Sequence, residues 1–343
     1  MACGRLLILD TVQLCPPACL LAHCPMNDTA RKPLSGMSLH LRSWAGVALP
    51  AAELREEMDF GERINHILSI SRIVLFCRRP HFSFDPEFFS VDGEHFSGKL
   101  LCRVNEEIRA IPFTLGFPLS ENEKSFVLAP YPHSEIHIVN GQGQPVRMLS
   151  AHTLSQHPEI LKQALWVNDL EVLYAGNVYK KGALSAFERV RSDNVLQQLL
   201  DTMRKAFPDD DIIVYAFEYL PYDLIPMLGA LMPQGLQTQE ARFLSTKNHP
   251  LDEFQKACME QAALIEYFQP AWNVSDKRVE HTETDRVFQS CERMDFSSVV
   301  IEISTVRSHF RLYSKAVPPM HHHMNILDLS DPLKRAEFFA MAL

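Results

Sequence analysis

Apolar and polar positions alternate in two different ways along this chain, and the change falls near its middle. From Ala51 the segment "AAELREEMDFGERINHILSI" has helical charge and apolar spacing, weakened by Gly61. "RIVLFC" (Arg72 to Cys77) then reads as a buried strand, and "KLLCRV", "IRAIPFTLGF", "KSFVLAP" and "EIHIVN" follow as short β-rich runs divided by Pro and Gly. "NGQGQP" (Asn140 to Pro145) is a turn cluster. Residues from about 50 to 150 are therefore predicted to be mainly sheet.

After that, longer helical periods appear between strands. "LEVLYAG" (Leu170 to Gly176) reads as a strand, and Asn168-Asp169 before it could turn a tight hairpin out of "ALWV". "LSAFERVRSDNVLQQLLDTMRKAF" (Leu184 to Phe207) is helical, with a break near Asp193-Asn194, and Pro208 with Asp209, Asp210 and Asp211 stops it. "IIVYAFEYL" (Ile212 to Leu220) is almost continuously apolar and so predicts a central strand. A Pro- and Gly-rich connection leads to a helix from about Leu251 to Phe268. The tail predicts strands at "SSVVIEIST" and "HFRLYSKAV" and a short helix at "PLKRAEFFAMAL". One position breaks its pattern. Gln261 has Ala257 and Cys258 behind it and Leu264 and Ile265 ahead at helical spacings, which puts an uncharged amide inside an apolar stripe.

The 343 residues and 46% hydrophobic content allow one elaborated domain or two, with packed cores. A formal charge of -9 argues against a basic, nonspecific coat on nucleic acid, though not against a local basic cleft. No apolar run reaches the roughly 20 residues needed to span a bilayer, so no membrane association is expected. Half of the eight cysteines (Cys3, Cys15, Cys19, Cys24) fall in the first 36 residues, where Asp10 and Gln13 interrupt any signal-peptide core. Residues 1–36 read as a disordered leader, with Met37 an alternative start. Cys77, Cys102, Cys258 and Cys291 read as buried thiols, which favours a cytoplasmic location over export.

Three stretches together resemble the GIY-YIG nuclease family, over about residues 160–275. "LYAG" (Leu173 to Gly176) is similar to the second half of the family signature, with Ala175 in place of Ile. "ERVRSD" (Glu188 to Asp193) resembles the family helix in which an arginine precedes a histidine by four positions; Arg189 matches the arginine and Asp193 stands at the histidine. "QAALIEYFQPAWN" resembles the closing pattern, with Leu264, Ile265, Pro270 and Asn273 in place and Gln261 at the metal-binding glutamate. The first signature tyrosine has no counterpart in "LKQALWVND".

Pattern and resemblance together predict an α+β protein: a β-rich N-terminal domain (37–155), a GIY-YIG-like β-β-α-β-α domain (156–280), and a C-terminal β-hairpin with a helix (281–343). The resemblance further implies a remnant catalytic set of Tyr174, Arg189 and Gln261, with Arg189 and Asn273 as nucleic-acid contacts. The helices carrying Arg189 and Gln261 should lie side by side, facing one cleft within about 10 Å. Phosphodiester hydrolysis needs a positioned water and charge neutralisation at the phosphate. A neutral amide at 261 is a poor Mg²⁺ partner, so no cofactor is expected unless the site is active, when Mg²⁺ or Mn²⁺ would serve.

Plainer readings stand beside these. Arg189 could form an ion pair with Asp193, Gln261 could be an amide satisfied by nearby backbone, and Tyr174 could be a core aromatic. Glu260 could pair with Lys256 on an exposed face. His321, His322 and His323 offer at most two side chains on one face of an extended segment, and Asp209 to Asp211 read as a solvated turn. Three functions remain open: a DNA- or RNA-binding protein of nuclease ancestry with weakened or lost cleavage, a structural or protein-interaction module, and an atypical metal-dependent endonuclease.

Overall fold

The computed structural model describes residues 36–54, 61–104, 106–179, 184–227, 244, 248, 250–273 and 297–341. The leader 1–36 lies outside them except for Gly36, as does Cys291. The chain is α+β. Its strands are β1 (Gly36–Pro50), β2 (Ile73–Pro80), β3 (Phe82–Phe84), β4 (Ser90–Asp92), β5 (His95–Val104), β6 (Glu107–Gly116), β7 (Ser125–Leu128) and β8 (Glu135–Val139). They continue as β9 (Pro145–Ser150), β10 (Asp169–Asn177), β11 (Asp210–Tyr219), β12 (Asp223–Met227), β13 (Ser298–Ser304), β14 (Arg311–Tyr313) and β15 (His322–Asp328). The α-helices are α1 (Glu62–Ile70), α2 (Ala151–Ser155), α3 (Pro158–Gln163), α4 (Ala186–Ser192), α5 (Asn194–Ala206), α6 (Glu253–Phe268) and α7 (Pro332–Met341).

An eight-stranded sheet organises the molecule, in the order β14-β10-β2-β11-β1-β13-β15, with β12 also paired to β1. Its central strands are buried on both faces, which is why "RIVLFC" and "IIVYAFEYL" are nearly continuous in apolar residues. Side chains of β2 divide by strand alternation. Ile73, Leu75 and Cys77 enter one core with α6, while Val74 and Phe76 enter a second core with α1, α4 and α5. A third core belongs to two small sheets, β3-β5-β4 with β6 and β7-β8-β9, together with α2 and α3.

One sheet draws on all three predicted segments. Strands from 37–155, 156–280 and 281–343 all enter the eight-stranded sheet, because β1 is 15 residues long and pairs with β11, β12 and β13 along its length. The predicted "ALWV" hairpin is also corrected. Leu165–Asn168 is a 3-10 turn, and the antiparallel partner of β10 is β2, with Tyr174 opposite Phe76. The short turn signal at Asn168-Asp169 lost to the better burial offered by β2. At the C-terminus, β15 rather than "HFRLYSKAV" supplies the long strand opposite β13, and β14 crosses to β10 instead. The predicted break in the 184–207 helix is present: Asp193 ends α4 and caps α5, accepting hydrogen bonds from the Val195 and Leu196 amides. No helix among the described residues is long and apolar enough to cross a membrane.

Candidate functional site

The site is built on the end of β10, where "LYAGNV" leaves the sheet. Tyr174 and Gly176 lie on the same face, two residues apart. The Tyr174 ring folds back over Gly176, so that a Cβ there would sit 2.6 Å from Tyr174 Cε1. The Phe76 ring on β2 closes the other side, with centroids 5.2 Å apart. The Tyr-x-Gly pattern is thus a packing requirement: the second position must lack a side chain for the first to lie down. Tyr174 belongs with the second core and does not line the cleft described below.

Beyond Glu171 the outer edge of β10 has no strand partner among the described residues, since β14 pairs only with Asp169 to Glu171. The end of α6 covers that edge. Gln269 terminates the helix in a left-handed conformation with φ 48. The turn that follows brings the Trp272 amide to the Leu173 carbonyl at 3.1 Å. Asn273 then acts as a substitute strand neighbour: its Oδ1 accepts from the Ala175 amide and its Nδ2 donates to the Ala175 carbonyl, both at 2.8 Å. Asn273, expected as a nucleic-acid contact, makes this pairing with strand backbone. Its amide is consumed by backbone that would otherwise be unmet.

Gln261 has a similar task one turn away. Its Oε1 accepts from Asn177 Nδ2 at 2.9 Å, and its Nε2 lies 3.4 Å from the Ala175 carbonyl. The amide breaks the apolar stripe because it tethers α6 to the polar end of β10. The shared cleft expected for Gln261 and Arg189 is not formed. α6 packs on one face of the sheet and α4 on the other, so the two side chains approach Ala175 to Val178 from opposite sides.

Arg189 is the exception to this pattern of satisfied groups. It is 6% exposed, and its Nη1 donates to the Val178 carbonyl at 3.1 Å. Its Nε is buried without a partner, and no carboxylate among the described residues forms an ion pair with it. The expected bridge to Asp193 is absent because Asp193 caps α5. Glu188, next in sequence, closes the α4 capping box with Ser185. Burial lowers the Arg189 pKa, against the pull of Tyr179 and Glu188.

Arg189 borders an open cleft of about 650 Å³, together with Arg72, Tyr179, Glu218, Glu253 and Lys256. Arg72 pairs with both Glu218 and Glu253, and Lys256 Nζ lies 2.7 Å from Glu253 Oε1. Behind them sits Glu260, 2% exposed, where an exposed partner for Lys256 was expected. Its Oε2 has no hydrogen-bond partner, as is also true of the buried Tyr219 hydroxyl. Burial pushes the Glu260 carboxyl up to about 8, and Glu218 adds to that push while Arg72 and Lys256 oppose it. Burial thus favours the protonated form of Glu260. Sequence spacing missed both Arg72 and Glu260; Arg72 reaches the cleft from the position just before β2, far away in the chain.

The other candidates are fully engaged. His323 is buried; its Nε2 donates to the Met320 carbonyl, so Nδ1 accepts from the Tyr267 hydroxyl, and burial lowers its pKa to about 4. His321 donates to the Phe310 carbonyl and His322 meets Glu302. Asp210 pairs with Arg78 and Asp211 with His81, so the acidic run is tied to β2 rather than simply solvated. Among the described residues, no group of three or more His, Cys, Asp or Glu side chains gathers as a metal site. Compared with known protein families, curated proteins and solved structures, the chain matches none.

Proposed function

We propose that this protein binds nucleic acid through the Arg189 cleft and does not cleave it efficiently. The observation that carries the reading is Arg189, a largely buried side chain that borders an accessible cleft and has no carboxylate partner among the described residues. A buried charge without a counterion costs stability, and a phosphate oxygen pair is a fitting bidentate partner for a guanidinium. The GIY-YIG resemblance supports the same residue. On this reading β2 stands for the first strand, followed by β10, α4 with α5, β11 and α6, with residues 81–168 and β12 as additions. β2 carries no tyrosine, and Gln261 is tethered to Asn177 on the face away from α4. Both features favour lost or weakened metal-dependent hydrolysis.

A second reading, a protein-interaction module, draws on the charge of -9 and on exposed Met324 and Ile326 along the edge strand β15. Incubation with labelled DNA and RNA at low salt, with Mg²⁺ or Mn²⁺, separates the two. The nucleic-acid reading predicts retention without cleavage, and loss of retention in Arg189→Met. Absence of retention by the parent overturns it and leaves the protein partner.

A further inference from the structure

Trp44 marks the point where β1 changes register. Ser43 stands opposite Tyr219 and Ala45 opposite Glu218, so Trp44 is the extra residue of a β-bulge. A bulge re-aims its side chain out of the regular alternation and recurs beside binding sites. The indole is 47% exposed and borders the same cleft as Arg189 and Tyr179. A singly exposed apolar residue is ordinary by itself. Here the backbone irregularity and the unpaired guanidinium open on one space.

The charge of that space limits what it takes. Among the described residues that line it, Arg72, Lys256 and Arg189 contribute three positive charges and Glu218 and Glu253 two negative ones, leaving one positive unit. That matches one phosphate rather than a tract of backbone. A volume of about 650 Å³ is within the range of small-molecule sites. We propose that the cleft holds a single unpaired nucleotide unit, its phosphate on Arg189 and its base stacked on Trp44. This rests on the nucleic-acid reading above and narrows it to unpaired nucleotides. Bases within a duplex are already stacked and cannot present a face to an indole, whereas single-stranded bases stack readily on aromatic side chains. The unit could come from a strand end or single-stranded stretch, or from a free nucleotide.

The test is fluorescence anisotropy of a labelled single-stranded oligonucleotide with the full chain, with adenosine monophosphate, adenosine and inorganic phosphate as competitors and a blunt duplex in parallel. Tight single-strand binding, with the duplex at least about fivefold weaker, is expected, because a stacked base is worth about 1–3 kcal/mol. Trp44→Leu should weaken single-strand binding about 5- to 150-fold, the same free energy as a ratio, while Trp44→Phe keeps most of it. The affinity should fall gently with salt, with a slope of about -0.7 for one single-strand phosphate. Competition by adenosine monophosphate well above that by phosphate or adenosine supports a nucleotide unit and identifies free nucleotide as a sufficient source. Equal binding of duplex and single strand, unchanged in Trp44→Leu, overturns this inference and leaves nucleic-acid binding intact. Failure of every nucleic acid and nucleotide to bind overturns the parent reading instead. Thermal melts of both Trp44 variants exclude misfolding as the cause of any loss.

Discussion

Two polar side chains meet the end of β10 from opposite faces of the sheet, and they differ in one respect. Gln261 on α6 has its amide met by Asn177 and Ala175, whereas Arg189 on α4 has a buried Nε with no partner, and no ion pair, among the described residues. Both occupy positions that a nuclease resemblance would call catalytic. Position alone does not separate structural from functional groups; hydrogen-bond accounting does. A polar residue whose capacity is filled by the fold stabilises the fold. One left unfilled at the wall of a cleft is available to a ligand.

The largest effect should come from the structural side of this comparison. Asn273→Ala removes both hydrogen bonds that seal the β10 edge and leaves the Ala175 amide unmet, at a cost of about 2 kcal/mol or more. Urea unfolding should show it as a lower midpoint. A midpoint equal to that of the parent would mean that the edge finds another partner and that Asn273 is free for other work.

Gln261→Glu should be next. The new carboxylate can still accept from Asn177, but it sets an acceptor against the Ala175 carbonyl and buries charge, costing about 1–3 kcal/mol. Because no acidic or imidazole cluster forms around position 261 among the described residues, added Mn²⁺ should not restore the lost stability. A Mn²⁺-dependent rise in Tm for this variant alone would make Gln261 a lapsed metal position and undo the comparison.

Glu260 gives a smaller effect with a defined pH window. The folded carboxyl holds its proton up to about 8, while the unfolded one releases it near 4.5. The native state therefore binds more protons between these values, and stability falls as pH rises through them. Glu260→Gln should flatten that slope, so that its advantage over the parent is greater at pH 9 than at pH 5. Parallel melting curves across pH would show that Glu260 is neither buried nor protonated as described.

The sequence carried much of this, but unevenly. Strands with continuous apolar runs, β2 and β11, were legible because burial on both faces leaves no polar positions. The α4–α5 break was legible because Asp193-Asn194 is a cap sequence. β1 was not read as a strand, since its partners change along its length and a bulge at Trp44 disturbs its alternation. The pairing of β10 with β2 depends on a connection of some 90 residues that no local turn signal reveals. For the site, Arg189 was visible through its motif, but its lack of a partner was not. That fact depends on Asp193 serving as a cap and Glu188 closing a capping box. Glu260 illustrates the opposite failure: its one-residue offset from Gln261 suggested exposure, yet α6 is covered on that side by Arg72 and Tyr219 as well.

The most direct test of the central claim is a paired measurement on Arg189→Met, combining a thermal melt with binding of a labelled single-stranded oligonucleotide. Methionine fills similar space and removes a buried charge that has no counterion among the described residues. Relief of that buried charge offsets the lost hydrogen bond to the Val178 carbonyl. The account predicts a Tm equal to or above that of the parent together with loss of binding. A lowered Tm with binding unchanged would show that Arg189 serves the fold, as Gln261 does, and that the cleft beside it is not an anion site.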